Sequence, residues 1–139
     1  MATTRKASTQ WHGPLLTGNG EVTFNSSNLG THPVSWPARS EAANGVTSPE
    51  ELLAAAHATC FAMAFSHGLA QAGTPATTLN TSAEVDFQPG TGITEIRLHV
   101  SGDVPGLDEA GFREAAEKAK AGCPVSRALS AVPITLSFE

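Results

Sequence analysis

The chain has 139 residues, enough for one domain able to bury roughly two-thirds of the surface its unfolded form exposes. Thirteen glycines, nine prolines and 40% hydrophobic residues exclude a disordered or collagen-like chain. Eight basic residues against thirteen acidic ones give a net charge of -5, which leaves no basic surface for phosphates and excludes nucleic acid as an expected partner. In chain order, the first third reads as strands: Thr9 to His12, a turn at Gly18-Asn19-Gly20, then Val22 and Phe24 alternating with polar residues. Pro33 to Trp36 is a further extended segment, held by Pro33 and Pro37 to an edge or irregular strand. Ala38 to Ser48 has no usable periodicity and reads as a loop.

Ser48-Pro49-Glu50-Glu51 follows, with Ser48 at N-cap, Pro49 at N1 and Glu51 at N3, the parts of a capping box. The helix it opens is predicted from Pro49 to about Ala72, stopped by Gly73 and Pro75. Its middle, AAAHATCFAMAF, is apolar almost all round, so cover is expected on most sides, and a second subunit would supply it. The longest apolar run, Leu52 to Phe65, is interrupted by His57, Thr59 and Cys60 and falls short of the about 20 residues a bilayer requires, so no membrane span is expected. Residues 79 to 87 and 94 to 100 alternate as two half-buried strands around Pro89-Gly90-Thr91-Gly92. Asp108 caps a helix ending near Ala121, with Phe112, Ala115, Ala116 and Ala119 on its inner face and Gly122 just beyond. Cys123-Pro124 opens a short helix to about Leu129, and Val132, Ile134, Leu136 and Phe138 alternate as a last strand. The order βββ-α-ββ-αα-β is α+β, expected as a single domain over residues 1–139.

Two cysteines are too few for a disulfide-stapled scaffold or a four-cysteine zinc site, which leaves packing, redox or mixed-site roles. Cys123 precedes a proline at N1, so its sulfur lies at a helix N-terminus that favours thiolate. On an ideal helix Glu50 and Cys60 are about 15 Å apart along the axis and about 80° apart in azimuth, too far to touch. An arginine such as Arg39 can bridge a carboxylate and a thiolate, although taken alone Arg39 reads as a surface charge and Glu50 as a helix-dipole carboxylate. His57 is one turn before Cys60 and reads as a hydrogen-bonded core histidine, as a base for the thiol, or as a metal ligand with Cys60 and Cys123. The N-terminal residues carry Arg5 and Lys6 but no apolar stretch after them, so no secretory signal is expected and the expected location is cytoplasmic.

T-S-P-E-E-L-L-A-A-A-H-A-T-C-F-A-M-A at 47 to 64 and A-K-A-G-C-P-V-S-R-A-L at 119 to 129 resemble the OsmC/Ohr family of thiol-dependent peroxidases, and W-H-G-P-L-L-T-G-N-G at 11 to 20 is similar to that family's N-terminal hairpin. His57 and C-P-V-S at 123 to 126 resemble the osmotically inducible branch, with Thr59 a departure from the usual small residue before the cysteine. The resemblance implies an N-terminal three-stranded meander, a long buried central helix, a second hairpin, two further helices and a final strand, in an intertwined homodimer. It implies reduction of organic hydroperoxides in oxidative and osmotic stress defence. Cys60 is then the peroxidatic residue, Cys123 the resolving one, Glu50 the holder of the activating arginine and Arg39 that arginine. No metal, flavin or haem is implied, only an external dithiol or lipoyl-type reductant. Phe61, Met63 and Phe65 are candidates for an apolar lining.

Overall fold

Alternating residues at the N-terminus pair as an antiparallel meander of β1 (Ser8–His12), β2 (Asn19–Phe24) and β3 (Gly30–Val34), in that spatial order. The computed structural model describes residues 1–139 and divides into two units, Met1–Pro49 and Glu50–Glu139. In the first unit the reversal between β1 and β2 comes earlier than the glycines at 18 and 20 suggest. Asn19 and Gly20 already pair with His12 and Trp11, and the chain turns between Gly13 and Gly18, where the Gly18 N–H donates to the Pro14 carbonyl at 2.7 Å. Gly20 serves close approach instead: a Cβ there would lie 2.7 Å from the Trp11 ring and from the Gln10 carbonyl oxygen.

A short helix, α1 (Trp36–Ser40), takes the end of the segment expected as extended to Trp36 and the start of the one expected as a loop from Ala38. The Ser35 hydroxyl caps it, accepting from the Ala38 N–H at 3.3 Å, and Pro37 sits in its first turn without a donor to lose. Val22 is the one buried hydrophobic side chain of this unit, while Leu15, Leu16 and Leu29 stand more than half exposed.

In the second unit α2 (Pro49–Gln71) ends as predicted. Gly73 is left-handed at φ +84°, its N–H bonds to the Ala70 carbonyl and the Thr74 N–H to that of Leu69, the paired bonds of a Schellman end. By length and composition this 23-residue helix is apolar enough to cross a membrane, longer than the uninterrupted run suggests. Beyond the buried Glu50 of its first turn, its buried side chains, His57, Phe61, Phe65 and Leu69, instead recur every four residues as one stripe turned into the protein. The opposite face, including Ala55, Ala56, Met63 and Ala70, is exposed, so the expected all-round burial is not met within one chain.

The stripe packs on a second sheet, β4 (Thr78–Gln88) and β5 (Gly92–Asp103) as an antiparallel hairpin. Ile96, Leu98 and Val100 face inward and are buried, while Arg97 on the outer face binds the carboxylates of Glu84, Asp86 and Glu95. That cation holds the Glu84 and Asp86 carboxyls below their ordinary range. Asp108 caps α3 (Glu109–Gly122) through Gly111 N–H at 2.8 Å. α4 (Pro124–Ala128) follows at once, and the two helices form the crossover that lets β6 (Ile134–Phe138) lie parallel to β5. The core joins Phe61, Phe65 and Leu69 to Leu98, Val100, Val104, Ala116, Ala119 and Cys123.

Candidate functional site

Cys123 owes its position to two helix ends. Its N–H donates to the Ala119 carbonyl at 2.9 Å, closing α3, and its own carbonyl accepts from the Arg127 N–H at 3.0 Å, opening α4. Pro124 sits at the first position of α4, where a missing N–H costs nothing. The sulfur points into the core and is fully buried. Cys60 reaches the same place from α2, one position before the buried Phe61 and itself half-buried. Residues 63 apart in sequence are thus two free thiols brought to one core cluster, each affecting the ionisation of the other.

Their ionisation is linked. Burial pushes the Cys60 thiol up, the Val125 N–H offsets part of that, and the neighbouring Cys123 raises it further both as a hydrogen-bond partner and as a charge. At Cys123 burial acts upward too, but the Ser126 N–H, the Cys60 thiol, the Ser126 hydroxyl and the Val125 N–H together outweigh it and bring the thiol below its ordinary value. These groups act on charge without forming a side-chain cap bond to α4. The first proton of the pair therefore comes off more easily than that of an ordinary thiol and the second less easily.

His57 joins the cluster from the same helix as Cys60, one turn earlier. It is fully buried, its Nε2 lies 2.7 Å from the Ser126 Oγ, and its Nδ1 has no partner. Burial lowers its pKa, which keeps the ring neutral at pH 7. Its nitrogen is directed at Ser126, and no three histidine, cysteine or acidic groups gather at metal-binding distances, so the ligand set of His57, Cys60 and Cys123 is not formed. Thr59 turns its hydroxyl back to the Ala55 carbonyl at 2.7 Å, on the exposed side of α2 and away from the sulfurs. Glu50 is 7% exposed in the first turn of α2, and Arg39 is half-buried in the last turn of α1, in the N-terminal unit. Phe61 and Phe65 stack at 5.9 Å inside the core and Met63 is 68% exposed, so the three expected lining residues divide between interior and surface.

Ser126 is the member of the cluster that sequence reading missed. Its signal lay in C-P-V-S: with Cys123 at N-cap and Pro124 at N1, residue 126 is N3, whose N–H faces back toward the cap.

The chain matches the OsmC family, described as OsmC-like protein, over residues 42–137, a span that holds both cysteine segments. It is 41% identical to peroxiredoxin OsmC of Escherichia coli over 142 aligned positions, covering 100% of this chain and 98% of that protein. Among solved structures, an organic hydroperoxide resistance protein OsmC from Legionella pneumophila superposes with a TM-score of 0.73 at 25% identity, covering 99% of both chains. The organic hydroperoxide resistance protein OhrB of Bacillus subtilis shares the fold at a TM-score of 0.70 and 22% identity, covering 96% of this chain and 98% of that one. With two sheets, a long helix carrying one cysteine and a helix junction carrying the other, and with relatedness running from end to end, the chain belongs to the OsmC family.

Proposed function

We propose that the protein is a thiol-dependent peroxidase that reduces organic hydroperoxides to alcohols. The observation that carries this reading is the meeting of Cys60 and Cys123, one half-buried and one fully enclosed, in a chain related over its full length to a peroxiredoxin. The half-buried sulfur is the one a peroxide can reach. Cys60 thiolate attacks the peroxide oxygen, the O–O bond breaks, and the sulfur is oxidised to sulfenic acid while the alkoxide leaves and takes a proton to become the alcohol. Cys123 thiolate then attacks the sulfenic sulfur; the S–S bond forms, and the S–O bond breaks to release hydroxide, which is protonated to water. An external dithiol, of lipoyl type, returns both thiols by exchange and is itself oxidised to the disulfide. All of these steps run on the protein's sulfurs and the dithiol, with no metal, flavin or haem.

Arg39, held by Glu50, is assigned to the charge on Cys60 and on the departing oxygen, the role a guanidinium fork suits. One experiment tests the scheme: mass spectrometry of the reduced protein after about one equivalent of tert-butyl hydroperoxide or hydrogen peroxide. The expected result is loss of two hydrogens with a Cys60 to Cys123 crosslink, faster with the organic peroxide. Arg39→Ala is expected to slow the Cys60 step by about tenfold or more. Two intact thiols in the wild type would overturn the function, and an unchanged rate in Arg39→Ala would overturn only the role of that arginine.

The working form we propose is a cytoplasmic homodimer of single-domain protomers. The apolar outer face of α2 and the N-terminal meander, in which Val22 alone is a buried hydrophobic residue, both support the homodimer, because each leaves apolar residues uncovered within its own unit. A charge at Met63, 68% exposed in one chain, is therefore expected to convert the dimer to monomer or aggregate in sedimentation, with Met63→Glu as the variant. A well-folded Met63→Glu dimer would sink this arrangement. Phe65, which serves the protomer's own core, is not part of that surface.

A further inference from the structure

His57 has no task in the scheme above, yet it is a fully buried polar ring with one nitrogen bonded and the other bare. Such a ring among apolar side chains has to choose its tautomer by what its nitrogens meet. With the proton on Nδ1, a donor would be buried without an acceptor, the costlier kind of orphan. With the proton on Nε2, the donor is satisfied at Ser126 Oγ and only a lone pair is left bare. The second arrangement is favoured, and it fixes the direction of the next bond. Ser126 Oγ accepts from His57, so its own hydrogen is free to turn toward Cys123, three residues earlier at the N-cap of the helix in which Ser126 is N3. Both side chains are enclosed, Ser126 at 6% exposure, so water does not compete for these bonds.

We propose that His57 is a positioning residue: by donating from Nε2 it locks the Ser126 hydroxyl as a donor to the Cys123 sulfur, and so prepares that sulfur to close the disulfide. This rests on the peroxidase reading and adds to it a division of labour. While both cysteines are reduced the ionisation of one opposes that of the other, and a thiolate at Cys123 disfavours one at Cys60. Once Cys60 is a neutral sulfenic acid, that competition is gone, and the donors around Cys123 hold its thiolate for the second step. The titratable side chains brought to Cys123 are Cys60 and, through Ser126, His57, both from α2. Lys120 of α3 is engaged elsewhere, with the Ile134 carbonyl and Glu117.

The test compares Ser126→Ala, His57→Leu and His57→Gln with the wild type in a single-turnover reaction, timing sulfenic acid formation at Cys60 and crosslink closure separately across pH. Ser126→Ala and His57→Leu are expected to slow closure about tenfold at neutral pH, with the loss recovered as pH rises and Cys123 ionises unaided. The peroxide step should be no slower, since weakening the Cys123 thiolate relieves its opposition to ionisation at Cys60, and His57→Gln, whose amide can still donate from near the Nε2 position, should retain most of the closure rate. In a Cys60→Ser background the ultraviolet thiolate absorbance of Cys123 should appear at higher pH in the first two variants, a readout that needs no peroxide. Closure rates and Cys123 ionisation that match the wild type in His57→Leu, or a His57→Gln variant as slow as His57→Leu, would overturn the proposal. A wild type that forms no sulfenic acid would instead overturn the peroxidase reading, leaving the absorbance measurement to decide on His57.

Discussion

Cys60→Ser will abolish turnover of an organic hydroperoxide, a fall of at least about a thousandfold that brings peroxide consumption to background. The expectation follows from access and ionisation together. A serine hydroxyl in the same place does not ionise near neutral pH, and Cys123 is too enclosed to take over the attack. Cys123→Ser should behave differently, reducing about one equivalent of peroxide in a first event and then turning over poorly, because the sulfenic acid at Cys60 lacks its internal thiol. A peroxide assay with excess dithiol, read alongside the mass of each variant, separates the two. Wild-type activity should fall as pH drops through the first ionisation of the pair, since below it both sulfurs are thiols and neither is a nucleophile. Sustained turnover by Cys60→Ser would end the thiol mechanism outright.

The second large effect concerns the scaffold. Phe65→Ala is expected to cost about 3 to 5 kcal/mol of folding stability, the range for emptying an aromatic site in a packed core. Phe65 is 1% exposed, stacks on Phe61 and meets the Phe112 ring edge-on at 5.1 Å, so its removal takes contacts from α2 and α3 at once. For a chain of this length that corresponds to a fall in Tm on the order of 10 °C or more. Denaturant unfolding at fixed protein concentration is the measurement, because dimerisation would make the midpoint concentration-dependent. A loss below about 1 kcal/mol would mean that the core closes around the gap and that the aromatic contacts carry little.

What was legible in the sequence was whatever local chemistry dictates. The end of α2 at Gly73, the Asp108 cap and the inward set Ile96, Leu98 and Val100 were all readable, because a left-handed glycine, a short acceptor side chain and a period of two each have one structural meaning. α1 was not, since five residues around a proline leave no period to detect; only Ser35 three residues before Ala38 hinted at a cap. Gly20 misled because a glycine beneath an aromatic ring and a glycine in a turn look alike until the partner strand is known. At the site, the two cysteine motifs identified the family, but Ser126 stayed hidden. Its significance depends on a histidine 69 residues away, and no local pattern encodes that contact.

The placement of Cys123 at a helix junction bears on how long an oxidised intermediate survives. Its backbone is committed in both directions, to Ala119 behind and Arg127 ahead, so in the proposed cycle its sulfur meets Cys60 by turning about its own side-chain bonds and not by refolding a loop. Such rotations belong to the fast end of protein motion, and closure can follow oxidation before a second peroxide arrives to drive the sulfur to sulfinic acid. Under the proposed cycle such a protein would tolerate surges of its substrate, and the supply of reductant would govern its throughput.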